Sequence, residues 1–544
     1  MARPLNLGPP RFLATFALWW LLFASLGVLW SLATPLGASP DAPSQVARAA
    51  SVARGQWLGP AVPGNSSAIT TYVKVPGTYL DPGLLPHCYM FKEATTAACA
   101  PPAGQSARLV QTETHVGRYP PLYYALVGWP SLLTNGVDGI YFMEAASALL
   151  CGAMLALAMA VVRRWSSSPL LVPAVAVAAT PMSLFLASQV NPSGLEIAAA
   201  ISVWASAAVL VREHLEPFDR LPPGLLAALA FSTAVLVWTR PTALLWPFVV
   251  ALVLLPVAIG RLRARLLLGR ELLISSFIVL LVAFGALAWA LLAHATAIGP
   301  NFGPLPATSS LGHVFSFVFG RLPSLVQQGV GNFGWLDTPL PWYVVAVWLL
   351  LAGALLATAA IYGDMRAVSS GALAVIMSVL VPVGLLVGAA RSYGYVGQGR
   401  YFLAVWVGIP LVAGGALAYR GRGGHWATPA RVPRLLAPAL GLVVIVGQAF
   451  SYYWALRRYI VGIPGPLAWT GSKGARTPAK QLEWQPPVPG WWLLGIFVAL
   501  CALYWVAICR SAALQTRHQE GDFGRTRAPQ PTEAPNYKGR MVSA

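Results

Sequence analysis

In SPDAPSQVARAASVARGQ, residues 39 to 56, one carboxylate, Asp41, stands just after an apolar run in a chain whose charged residues make up only 10%. A carboxylate held at the edge of the lipid can take a proton from a substrate hydroxyl arriving from water while a lipid-borne partner arrives from the side. The plain alternative is helix capping, since SPDAP is a good helix start and Asp satisfies free N–H groups there. Both readings place a helix next. Val46, Ala50, Ala53 and Trp57 recur on one side with Ser44, Arg48 and Ser51 opposite, the pattern of a helix lying on the membrane surface.

Four further groups have chemistry-bearing types. RSYGYVGQGRYF, residues 391 to 402, is a short loop carrying Arg391 and Arg400 with Gln398 and Tyr401. Guanidinium grips phosphate oxygens bidentately, and glycines 394, 397 and 399 let backbone N–H groups approach an anion. Snorkelling of Arg400 beside Tyr401 is the alternative. Arg240, in WTRPTALLWP, is a comparable cation at a membrane edge. VNPSGLE, residues 190 to 196, opens a span; Asn191 before Pro192 is a capping arrangement, whereas Glu196 lies inside the span, where an ionisable group faces a polar cavity or a partner. Glu144, in YFMEAASALL, poses the same question and can pair with an arginine. Asp337, in NFGWLDTPLPWY, is either a turn acid bonded to its own backbone or part of a site.

These residues need a frame. Apolar residues make up 57% of the 544 and gather in runs of roughly 17 to 24, the length that spans a bilayer, with no period-two alternation. The chain is therefore expected to be an all-α integral membrane protein. The formal charge of +19 does not indicate nucleic acid, because the basic residues fall between the runs without a basic, aromatic-interleaved domain. Arg3 and Arg11; Arg163 and Arg164; Arg212 and Arg220; Arg261, Arg263, Arg265 and Arg270; and Arg420, Arg422, Arg431 and Arg434 mark every second boundary as cytoplasmic. About twelve spans follow, near 12–33, 139–162, 169–187, 194–211, 222–239, 241–259, 271–294, 340–361, 370–389, 401–419, 434–455 and 491–509. Both termini are then inside, and PPLYYALVGWPSLL, residues 120 to 133, is an interfacial helix rather than a span. One transmembrane domain covers 1–509, with outer segments 34–138, 295–339 and 456–490, and residues 510–544 read as a disordered cytoplasmic tail.

Cys151, Cys501 and Cys509 fall in or beside spans and behave as small apolar residues. Cys88 and Cys99 share the first outer segment, where a disulfide is expected; a metal beside His87 has too few well-spaced ligands. No nucleotide-binding loop, HExxH or nucleophile elbow occurs in a suitable context.

The order of the motifs, an acid after the first span, then RYPPLYY, NPSGLE, TRPTALL, FGWLDTPLP and QGRYFL, resembles an uncharacterised bacterial family of polytopic membrane proteins grouped with the GT-C glycosyltransferases. The resemblance implies a GT-C-like bundle in the plasma membrane with membrane-parallel helices in the first outer segment, at 42–55 and 120–129. It further implies a sugar donor on a polyprenyl phosphate, a cell-envelope glycan or glycoconjugate acceptor, an extracytoplasmic active site and a catalytic role for Asp41. Arg400, Arg391 and Arg240 would then hold the donor phosphate, with Tyr123, Tyr124, Asn191, Glu196, Asp337, Gln398 and Tyr401 lining the pocket. Ala42 follows Asp41 where relatives read Asp-Glu, so a divalent cation would need Asp337 or Glu196 as its second carboxylate; no cofactor is firmly implied. Glu144 stands where relatives often show arginine. The rival expectation is a transporter or lipid-linked-sugar flippase with its path through Glu144 and Glu196.

Overall fold

The computed structural model describes residues 9–63, 69–215, 221–266, 270–296, 309–417 and 431–527. Arg3, Arg220, Arg420 and Arg422 lie outside them, as do the side chains of Arg261, Arg263, Arg265, Arg391 and Arg431 and the segment 528–544.

Among the described residues nine helices are long and apolar enough to cross a membrane, and two shorter apolar ones run over Pro223–Val237 and Leu403–Gly415. The most enclosed is Pro192–His214, 94% of whose apolar window is buried. Its sequence explains why. The run AAAISVWASAAV is mostly Ala and Ser, small side chains that let neighbouring helices approach closely, and small residues are the usual contact surface between helices in lipid. The first helix, Pro9–Leu32, packs along Asp138–Trp165 in the same way. A side chain at Gly27 would collide with the Ala148 methyl, 2.8 Å from the added Cβ.

The span expected at 169–187 is instead two short helices, Leu171–Ala178 and Pro181–Ala187. Pro181 disfavours helical geometry at Thr180 and cannot donate a backbone hydrogen bond. Thr180 restarts the helix by accepting from the Ser183 N–H (3.2 Å) and donating to the Gly329 carbonyl (2.9 Å). Continuous hydropathy concealed the break. At the far end the last helix, Gly490–Arg527, carries on past the expected boundary, so residues 510–527 are helical rather than disordered.

The long segments meet at one end of the bundle. The first contains helices Ala42–Ala53 and Pro121–Gly128 and an antiparallel ribbon pairing Thr71–Pro76 with Leu109–Thr114, which qualifies the all-α expectation. TYVKVP alternates β-branched residues with polar ones, as a half-buried strand does. Helix Ala42–Ala53 does not lie on a surface by one face. Arg48 and Ser51, expected to be outward, are wholly buried, because the helix packs between the ribbon and Pro121–Gly128. Helix Pro121–Gly128 keeps the one-sided character: Tyr123 and Tyr124 point inward while Leu122 and Leu126 are exposed. The second segment folds into helices Leu311–Gly320 and Leu322–Gly331, neither anticipated.

Cys88 and Cys99 are bonded, with their Cα atoms 6.1 Å apart. The segment between them wraps a fully buried cation: Arg458 donates to the carbonyls of Thr95 (2.6 Å), Tyr89 (2.9 Å) and Lys92 (3.1 Å). Closing so short a loop stabilises the fold by about 2–3 kcal/mol, mainly by restricting the unfolded chain. Replacing both cysteines by serine is therefore expected to lower the thermal midpoint by several degrees. An unchanged midpoint would mean that Arg458 alone holds the segment.

Candidate functional site

Asp41 occupies the position before helix Ala42–Ala53, but its side chain makes no capping hydrogen bond. Its backbone is left-handed (φ 62°, ψ 12°), a conformation that costs an L-residue about 1–2 kcal/mol and that Asp tolerates better than most. The carboxylate turns instead to a residue 359 positions away: Oδ2 accepts from Arg400 Nη2 at 2.6 Å. The two partners are unequally exposed, 44% for the Asp41 side chain and 2% for Arg400. A buried guanidinium thus presents itself to a carboxylate that still reaches the surroundings.

The loop 394–402 delivers Arg400. Helix Met365–Tyr393 stops at Gly394, whose φ of 76° suits glycine, and the chain runs extended into a tight turn at Gly399–Tyr401. Gly399 donates to Gln328 Oε1 (2.8 Å) and lies so close to the Leu325 carbonyl that no Cβ would fit there. Gly399, and with it the start of the turn, is thereby fixed against helix Leu322–Gly331. Arg400 Nη1 approaches the Pro40 carbonyl (3.5 Å), which also accepts from Asn191 Nδ2 (3.2 Å). Asn191 caps its own helix through Ser193 N–H (3.0 Å), so the expected capping role and a place beside Asp41 coincide. Burial lowers the pKa of Arg400, while Tyr401 and Asp41 raise it, and the net shift is upward.

A second cation joins through Tyr401. The Cζ atoms of Arg240 and Arg400 lie 4.4 and 5.1 Å from the centre of its ring, a cation–π arrangement on both counts. Arg240 is neutralised by Glu196, at 3.3 Å, and touches Ser193 Oγ at 3.4 Å. Trp246 Nε1 donates to the other Glu196 oxygen at 2.6 Å. Glu196 is thus fully engaged and holds Arg240 in place rather than lining an open path. The Tyr119 ring centre lies 5.9 Å from Arg240 Cζ; burial raises the pKa of its phenol, which Arg240 partly offsets. Tyr119, Ser193 and Trp246 were not singled out from sequence, although each neighbours a residue that was.

Tyr123 and Tyr124 form a buried floor that links Asn191 to helix Ala42–Ala53. Tyr123 accepts from the Asn191 N–H (2.7 Å), and Tyr124 donates to Gln45 Oε1 (2.7 Å). Arg48 braces the same floor through the carbonyls of Trp57 (2.8 Å) and Tyr119 (3.1 Å); burial brings its pKa down to about 10. Gln398 sits in the loop with its side-chain oxygen buried and without a hydrogen-bond partner among the described residues.

Other expectations end elsewhere. Asp337 is bound by the Phe91 N–H (2.9 Å) and by Arg458 (3.5 Å), tying the second long segment to the disulfide loop. It is neither a self-bonded turn acid alone nor a partner of Asp41. Glu144 accepts from Ser31 Oγ at 2.5 Å rather than from an arginine. The side chain of Arg391 lies outside the described residues. Among the described residues no three His, Cys, Asp or Glu side chains converge, and with Asp337 and Glu196 engaged, neither supplies Asp41 with a second carboxylate.

Removing one partner of a buried ion pair leaves an uncompensated charge and costs about 3–5 kcal/mol. E196A is therefore expected to destabilise the protein by that order and E196Q by less, read as the loss of folded protein on heating in detergent. Equal stability of E196A and wild type would contradict the pairing with Arg240.

No curated protein matches the chain. A family model described as "Predicted membrane protein (DUF2142)" matches residues 23–409, a stretch that includes Asp41, Asn191, Glu196, Arg240 and Arg400. The match covers more than two thirds of the sequence, and the chain belongs to this family of predicted membrane proteins.

Proposed function

We propose that this membrane protein transfers a sugar from a polyprenyl-phosphate donor to a hydroxyl of a cell-envelope glycan or glycoconjugate, at the extracytoplasmic face and with inversion at the anomeric carbon. The observation that carries the reading is the direct contact of Asp41 with Arg400, a half-exposed carboxylate on a buried guanidinium. The choice of a sugar rests on the resemblance of the motif order to GT-C glycosyltransferases. The assignment of sides rests on charge: Asp138–Trp165 starts at the end bearing the long segments and finishes with Arg163 and Arg164, and Pro192–Val209 likewise runs from that end toward Arg212. Both termini are then cytoplasmic and the membrane is the plasma membrane.

In this mechanism the ion pair is the resting state. A donor phosphodiester offers oxygens to the Arg400 guanidinium and so releases Asp41, while Arg240, paired with Glu196, steadies Tyr401 from its other side. The acceptor oxygen attacks the anomeric carbon from the side opposite the phosphate. A new C–O glycosidic bond forms, the bond to the phosphate oxygen breaks with its electron pair, and the hydroxyl proton passes to Asp41. A carboxylate is a weak base, so its help comes late, as the carbon gains oxocarbenium character and the hydroxyl acidifies. Glu144 and Glu196, the acids through which a carrier path would run, are engaged by Ser31 and by Arg240 with Trp246, an arrangement that favours the enzyme.

Polyprenyl-phosphate donors with radiolabelled sugars provide the test, scored as label moved to an envelope acceptor. D41N is expected to lose turnover by at least about 100-fold, the usual scale for a general base, with donor binding retained. R400Q is expected to lose donor binding. Full turnover by D41N would end the enzymatic reading.

A further inference from the structure

Away from this site, an apolar groove of about 520 Å³ opens on the outside of the bundle, lined by Phe319, Leu322, Pro323, Val326, Trp342 and Leu349. That volume falls within the range of small-ligand sites, about 300–1,000 Å³. Its position follows from two elements. Helix Leu311–Gly320 leaves Leu311, Phe315 and Phe319 about half exposed, and Trp342, also half exposed, begins the membrane-length helix Trp342–Tyr362. Tryptophan at the end of a span marks the boundary between headgroups and acyl chains. From Trp342 to Leu349 is two helical turns, so the groove runs about 10 Å from that boundary into the apolar zone.

A cation stands at its rim. Arg321 is the exposed turn residue between helices Leu311–Gly320 and Leu322–Gly331, flanked by two lining residues, Gly320 and Leu322. Its backbone is fixed, with its N–H on the Val318 carbonyl (3.1 Å) and its own carbonyl accepting from Leu325 (3.0 Å). Its guanidinium carbon lies 4.9 Å from the Phe317 ring centre, and no described carboxylate forms an ion pair with it. The Tyr395 phenol is close enough to interact with it electrostatically. Leu322 and Val326, one turn apart, share the face on the groove, while Leu325, Gln328 and Gly329 occupy the face that receives Gly399.

We infer that this groove is a binding site for one phospholipid with an anionic headgroup, its phosphate on Arg321 and one acyl chain along Pro323, Val326 and Leu349. The inference does not rest on the glycosyltransferase reading. A guanidinium at the rim, without an ion-pair partner among the described residues, supplies charge complementarity, and the groove supplies the apolar complement that ordinary snorkelling of an arginine does not need.

Native mass spectrometry of the full chain, released from micelles holding equal amounts of phosphatidylglycerol and phosphatidylcholine with identical acyl chains, reads this directly. Wild type is expected to retain phosphatidylglycerol over phosphatidylcholine by at least fivefold, R321K to keep that preference, and R321Q to bring it below twofold. V326W, which fills the groove and leaves Arg321 in place, is expected to cut retained lipid of both kinds. Equal retention of the two lipids by wild type overturns the proposal, as does an R321Q variant that keeps the preference or a V326W variant that retains lipid as wild type does.

Discussion

A guanidinium removed from water needs partners for its charge, and the two terminal nitrogens of Arg400 are answered by a carboxylate 2.6 Å away, a carbonyl and a tyrosine. The cost of an unanswered buried charge runs to several kcal/mol, which is why the loop that carries Arg400 and the segment that carries Asp41 cannot move independently. Their contact joins sequence separated by 359 positions, at a point where the backbone of Asp41 is left-handed. Asn191, through the Pro40 carbonyl, fastens the same point to the most buried of the membrane-length helices among the described residues.

The rest of the loop end follows the same economy. Arg48 and Arg458 are both wholly buried, and both spend their donors mainly on backbone carbonyls of irregular segments. Those carbonyls lie outside the helices and strands, and although Tyr89 also accepts from the Lys92 N–H (3.1 Å), a buried arginine adds a donor to each and acquires its own partners. Irregular chain can in this way be packed tightly over a membrane bundle. The pair formed by Glu196 and Arg240 differs, because there both charges are fixed in side chains and Tyr401 relays the position of one cation to the next.

Most spans were legible in the sequence because hydropathy over a bilayer's width is a strong signal, and Cys88 with Cys99 was legible because both fall in one segment between spans. The break at Thr180 was not, since LLVPAVAVAATPMSLFLAS is apolar throughout; only the Thr-Pro pair marks it. Helices Leu311–Gly320 and Leu322–Gly331 were missed because ten-residue helices are too short to register as spans. Helix Ala42–Ala53 was read as amphipathic from Arg48 and Ser51, and a polar side chain that bonds to backbone carbonyls inside a packed core looks the same in sequence as one facing water. The approach of Asp41 to Arg400 was anticipated as chemistry, from a lone acid and an arginine out of keeping with its loop, whereas Tyr119 and Trp246 carried no charge to draw notice.

The central claim is that Asp41 and Arg400 act on each other directly, and a double-mutant cycle measures it. Unfolding free energies of wild type, D41N, R400Q and the double variant, taken in one detergent and at one pH, give the coupling between the two side chains. Residues in direct contact couple by about 0.5–3 kcal/mol, and a value in that range, with the double variant less impaired than the sum of the singles, is expected. Strict additivity of the two changes would contradict the account.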